Sequence, residues 1–147
     1  MNRQQRILRA AGYVDGEGCV LIVKQRGATS ARGWYFTLRL QVGTNCKLWL
    51  DELQDLFGGK VNFRPNKYGG SYEWKISTNM AATALREMLP YMIEKAPQVK
   101  VALKFADRRR FIVENGTSGR FTPLTDKQVK MDERDYNTLK ELKRQRY

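Results

Sequence analysis

No histidine occurs in the 147 residues, and that absence removes histidine general bases, two-histidine metal sites and every Ser-His or Cys-His nucleophile pair. Any hydrolytic chemistry in this chain rests on carboxylates, lysine and metal. Cysteine is scarce as well: Cys19 and Cys46 are too few and too far apart for a zinc site, and they read as small buried hydrophobes in a reducing compartment. No segment approaches the ~18 uninterrupted apolar residues of a membrane span. The basic N-terminus also lacks a signal-peptide core, so the expectation is an intracellular protein with no membrane partner. Acidic residues are in deficit, 15 against 27 Lys and Arg, for a formal charge of +12. Such an excess is the footprint of a polyanion-binding protein. Internal repeats are missing too, with Asp15-Gly16-Glu17-Gly18 occurring once.

What is present supports one folded domain, since 41% apolar and 11% aromatic content suffices for a core. Ile7, Leu8, Ala10, Ala11, Tyr13 and Val14 form a mostly apolar helix, and Asp-Gly-Glu-Gly then supplies a turn before the β-branched run at Val20 to Val23. Cys19 to Arg26 reads as a strand whose parity is undecided, and Gly27 to Gly33 as a polar loop. Trp34 to Val42 alternates cleanly, placing Phe36, Leu38, Leu40 and Val42 on one face and Tyr35, Thr37, Arg39 and Gln41 on the other. A helix from about Cys46 to Phe57 ends at Gly58-Gly59. A second hairpin follows, with Val61 and Phe63 alternating with Asn62 and Arg64, a loop at Pro65 to Gly70, and Trp74 and Ile76 alternating with Glu73, Lys75 and Ser77. Asn79 is placed to cap a helix reaching Leu89, and Pro97 to begin one running towards Phe111. Residues 1–112 therefore make the core, and 113–147 a linker, Glu114 to Thr122, with a basic C-terminal helix packed on or extending it.

Alone, Asp15-Gly16-Glu17-Gly18 could be an ordinary polar turn, and it lacks the alternating acids and distant Glu of a calcium loop. Its neighbours add chemistry. Gly12 and Gly16 lie four apart and would share a helix face, letting a second helix approach closely and bringing a carboxylate from each partner together. Such carboxylates, with backbone carbonyls, are hard oxygen ligands suited to Mg²⁺, with Mn²⁺ able to substitute.

The nonapeptide Ala10-Ala11-Gly12-Tyr13-Val14-Asp15-Gly16-Glu17-Gly18 resembles the signature of LAGLIDADG homing endonucleases. Gly12, Asp15 and Gly18 match the third, sixth and ninth positions, Ala11 is the usual second residue, and Glu17 stands where the family has Asp or Glu. Ala10 departs from the usual Leu. The helix, two strands, helix, two strands, helix order is also that of the family core, an α+β fold with a four-stranded antiparallel DNA-binding sheet plus C-terminal helices. By this resemblance Glu17 is the catalytic metal-binding acid, the Gly16 carbonyl a second metal ligand, and Asp15 and Gly18 shape the turn. Gly12, Tyr13 and Gly16 are the implied dimer contacts. Leu89-Pro90-Tyr91-Met92 followed by Lys95 resembles the segment in which a lysine reaches the active-site solvent and stabilises developing charge. Gln41, with Thr44-Asn45 competing, stands near the family's remaining polar catalytic position.

The sheet face would read bases. Arg39, Arg64 and Lys75 can donate to guanine, Gln41, Asn62 and Asn66 can pair bidentately with adenine, and Tyr35, Thr37, Glu73 and Ser77 complete a mixed surface. Gln25, Arg26, Arg32, Lys67 and Tyr68 are further expected DNA contacts. A single signature implies a homodimer on double-stranded DNA, with a pseudo-palindromic target of about 10 bp per half-site. The resemblance implies a Mg²⁺-dependent staggered cut leaving 3′ overhangs, and a gene in a mobile intron or free-standing in a phage or microbial genome. Two other classes remain open. One is a non-cleaving nucleic-acid binder on the same scaffold, an RNA maturase or regulator; the other is a small basic RNA-associated protein that binds without metal or strong sequence preference.

Overall fold

Asn2 opens the first helix: its side-chain oxygen accepts from Gln5 N at 2.9 Å, and the Gln5 side chain accepts from Asn2 N at 3.0 Å. This reciprocal cap satisfies two otherwise orphan donors at the start of α1, Arg3–Glu17. The computed structural model describes residues 1–27, 32–115 and 125–145, without the side chains of 111–115. Four strands, β1 (Gly18–Arg26), β2 (Trp34–Thr44), β3 (Lys60–Arg64) and β4 (Ser71–Ser77), form one antiparallel sheet in the order β1-β2-β4-β3. Helices α2 (Lys47–Phe57), α3 (Thr78–Met88), α4 (Ala96–Asn115) and α5 (Asp126–Arg144) follow, with a short 3₁₀ turn at Leu89–Tyr91. The expected α+β core is what forms. Residues 28–31 of the expected first hairpin loop, 116–122 of the expected linker, 123–124, and 146–147 of the expected C-terminal helix lie outside the described residues.

The turn expected at Asp15 to Gly18 does not exist. Helix α1 continues through Glu17, the Gly18 N–H closes its last turn on Val14 O, and Gly18 is already extended at φ −79° and ψ 165°. Glycine is required there for space, because a Cβ would stand 2.7 Å from Val14 O and 2.8 Å from Val14 Cγ1. The chain thus passes from helix to strand within one residue.

Register settles β1. Val20 pairs with Leu40 and Ile22 with Leu38, all buried against the helices, so Cys19, Leu21, Val23 and Gln25 belong to the outer face with Gln41, Arg39, Thr37 and Tyr35. Trp74 and Ile76 close the inner face from β4, and the Trp74 indole donates to Gly58 O at 2.8 Å. Gly58 and Gly59, at φ 80° and 88°, turn α2 back into the sheet.

Three local expectations change. Phe63 keeps its predicted parity yet is 54% exposed, since β3 is a short edge strand; its ring packs on Tyr72 and over Gly70. Ser77, extended, occupies the N-cap of α3 in place of Asn79. Cys46 is exposed and Cys19 half-buried, so neither is the enclosed hydrophobe expected. No helix among the described residues is long and apolar enough to cross a membrane.

Candidate active site and nucleic-acid interface

The end of α1 carries the acids. Glu17 is exposed at its last residue, next to exposed Gly16, where the final carbonyls have no intrahelical donors and the helix dipole favours a cation. Asp15 faces another way. Its Oδ2 accepts from Ile93 N at 2.9 Å and Glu94 N at 3.1 Å, and its Oδ1 from Lys95 N at 2.7 Å. Asp15 therefore ties α1 to the segment entering α4; it shapes no turn. Partial burial works to raise its pKa, but these three backbone donors and the Lys95 charge outweigh it and hold the carboxyl below its usual range.

Lys95 corrects the expectation of a solvent-reaching lysine. It is 2% exposed, and its ammonium donates to the Asp15 carbonyl oxygen. The amine thus serves the end of α1, satisfying a carbonyl that the helix leaves open. Spacing along the sequence could not reveal this, because the two residues are 80 apart.

Gly12 and Gly16 each have nothing within 4 Å of where a Cβ would stand, and both are exposed. Leu8, one turn earlier on the same face, is 52% exposed. Tyr13, expected at the same dimer face, is instead stacked on Trp49 of α2 with ring centroids 4.1 Å apart and planes 1° from parallel. Its ring packs within the protomer. Ion pairs of Arg6 with Glu52 at 2.8 Å and Asp55 at 2.5 Å, and of Arg9 with Glu52 at 3.0 Å, also fasten α1 to α2.

The outer sheet face is polar through β2, β4 and β3. Arg39 lies opposite Ser77, Gln41 lies between Cys19 and Lys75, and Asn62 is opposite Glu73. Of the expected readers, Gln25, Tyr35, Arg39, Gln41, Asn62, Arg64, Glu73, Lys75 and Ser77 share this face. Arg26 does not: it pairs with Trp34 on the helix-side parity. Thr37 has the right parity but is buried. Asn66 accepts from Tyr68 N at 2.8 Å through its side-chain oxygen, a contact within its own loop. Lys67 and Tyr68 extend from that loop, the ammonium 4.9 Å from the ring centroid, and Arg32 is exposed in the β1–β2 connection. Arg64 is held by Glu73 at 2.9 Å.

Lys60, opposite Lys75, joins this face and was missed because β3 begins one residue before its first apolar position. Leu21 and Val23 were missed as well. The only signal for them is the register. Thr44, the competitor of Gln41, uses its hydroxyl oxygen to accept from Cys46 N at 3.1 Å, while Gln41 remains on the outer face. Among the described residues, Arg39 Nε is buried without a hydrogen-bond partner.

Residues 10–102 match the LAGLIDADG endonuclease family. The chain belongs to that family. Among solved structures, the LAGLIDADG chain resembles the homing endonuclease I-CvuI in complex with its target in the presence of Ca, at 21% identity over 95% of this chain and 96% of that one, with a TM-score of 0.65. It also resembles the archaeal intron-encoded homing endonuclease I-Vdi141I complexed with DNA, at 13% identity over 96% and 86%, TM-score 0.75. The group I intron-encoded I-CeuI complexed with DNA matches at 16% identity over 92% and 66%, TM-score 0.68. At these identities the likeness is one of fold. No curated protein matches the LAGLIDADG chain.

Among the described residues there is no cluster of three or more His, Cys, Asp or Glu able to hold a metal. At the end of α1 the LAGLIDADG chain offers the exposed carboxylate of Glu17 beside helix-terminal carbonyls. This donor set has the chemistry of a hard divalent cation's ligands but falls short of a complete shell.

Proposed function

We propose that this protein is a site-specific, Mg²⁺-dependent DNA endonuclease that acts as a homodimer and makes a staggered double-strand cut leaving 3′ overhangs. The observation that carries the reading is the pairing, on one helix, of a bare glycine face at Gly12 and Gly16 with an exposed terminal Glu17. Two such helices crossing at the glycines bring two Glu17 carboxylates and two Gly16 carbonyls together on a twofold axis, one acid per strand. Exposed Leu8 extends the contact surface.

Glu17 and the Gly16 carbonyl would hold the cation, with Mn²⁺ able to substitute. When bound, the metal supplies Lewis acidity at the scissile phosphate. The chain's own contribution is placement: Asp15 and Lys95 tie the end of α1 to the segment entering α4, and α1 runs unbroken to Glu17. The outer face reads a pseudo-palindromic target, and Gln41 lies on that face one strand over from Cys19, two residues beyond Glu17. Solved relatives add support: I-CvuI is described with DNA and Ca, and with uncleaved DNA and Mg.

The test is selection on a randomised DNA library with Mg²⁺, with EDTA and with Glu17→Gln. One long pseudo-palindromic site whose cleavage needs both metal and Glu17 is the expected result. Binding of DNA or RNA without any cleavage would replace this reading with a maturase-like or regulatory binder.

A further inference from the structure

The C-terminal helix α5 is fastened to the core by buried charge. Arg108 of α4 donates to Asp132 at 2.7 Å and to Asp135 at 2.7 Å, Arg109 reaches Asp132 at 3.0 Å, and both aspartates are buried. Leu139 is buried beneath the helix, and Tyr136 packs on Phe36 with centroids 5.2 Å apart. These contacts set a direction. Tyr136 lies near Phe36, which pairs with Lys24 towards the far end of β1, whereas Lys143, two turns later, donates to Cys19 Sγ at 3.4 Å. Helix α5 therefore runs along edge strand β1 towards Glu17 and delivers Lys143 beside an outer-face residue two positions beyond that acid.

We propose that Lys143 contacts a DNA backbone phosphate next to the scissile bond, a role Lys95 cannot take while its ammonium is buried on Asp15. This rests on the endonuclease reading above. Lysine contacts to phosphate oxygens position a protein on DNA, while base edges in the groove are read by other side chains; α5 brings Lys143 to Cys19 of edge strand β1, two residues beyond Glu17. Sulfur is a weak acceptor, and no carboxylate among the described residues pairs with Lys143, so a phosphate can displace the thiol readily. Cys19 then acts as a rest that holds the amine near its working position.

The experiment compares Lys143→Met and Lys143→Arg with the parent chain. Binding to a random-sequence duplex is measured across salt, together with cleavage of the selected target. Lysine acylation is mapped by mass spectrometry with and without the duplex. The methionine variant should weaken binding on all sequences, lower the salt slope by about 1 and cut at least tenfold more slowly, with arginine restoring most of each. Lys143 in the parent chain should be protected from acylation by DNA. An unchanged salt slope, or acylation of Lys143 unaffected by DNA, overturns the proposal, and the footprint decides the matter even if a variant folds poorly. Protection and a reduced slope in a chain that never cuts would uphold the contact and remove only the endonuclease reading.

Discussion

Asp15 and Lys95 hold each other reciprocally: the Asp15 carboxylate accepts the Lys95 backbone N–H at 2.7 Å, and the Lys95 ammonium donates to the Asp15 carbonyl. Replacing Asp15 with Asn keeps one acceptor oxygen but removes the charge that three backbone donors address. The expected loss is about 2 kcal/mol of folding stability, read by urea denaturation at neutral pH.

The same group predicts a pH dependence. Its folded pKa lies below the ordinary 3.8, so its contribution is fully present above that value and is lost as pH falls through the lower folded value. Denaturation midpoints of the parent chain and Asp15→Asn should therefore converge as pH drops below about 4. A gap that stays constant down to pH 2 would contradict the assignment.

Glycines of the signature should divide into two classes. Gly12→Leu enters open space in the protomer, so circular dichroism should stay unchanged while sedimentation shifts from dimer to monomer. Gly18→Ala drives a Cβ into Val14, and the fold itself should lose about 1–3 kcal/mol. Equal effects of the two substitutions on sedimentation would remove the paired-helix arrangement.

Arg39, on the outer face opposite Ser77, should be a base reader. Arg39→Ala is expected to cost about 1–3 kcal/mol and relax preference at one base position. Uniform weakening on every sequence would make it a phosphate contact instead.

Docking of α5 should depend on Asp132. Burial disfavours the Arg108 charge, but the Asp132 and Asp135 hydrogen bonds outweigh it and raise its pKa. Asp132→Ala leaves two arginines short of a partner and should cost about 3 kcal/mol, with limited proteolysis between α4 and α5 appearing first. Resistance equal to the parent chain would show that Leu139 and Tyr136 suffice.

Much of this protein could be read locally. The absence of histidine confined the chemistry to carboxylates, the charge of +12 pointed to a polyanion, and the alternation of β2 and β4 named their inner and outer faces, because strand parity is visible wherever one face is apolar and the other polar. The four-residue spacing of Gly12 and Gly16 was equally legible, since it follows from helical periodicity, whereas the continuation of α1 through Glu17 was not. Tertiary structure alone decided the rest. Strand β1 carries apolar residues of both parities near Glu17, so its faces were assigned only by pairing with β2, and the helix-to-strand switch at Gly18 reflects crowding against Val14 where the residue types suggested a turn. Lys95 left the solvent because a helix-terminal carbonyl 80 residues away needed a donor. Lys143 reached the same end of the sheet because buried ion pairs fix the path of α5, a relation between distant segments that no local pattern contains.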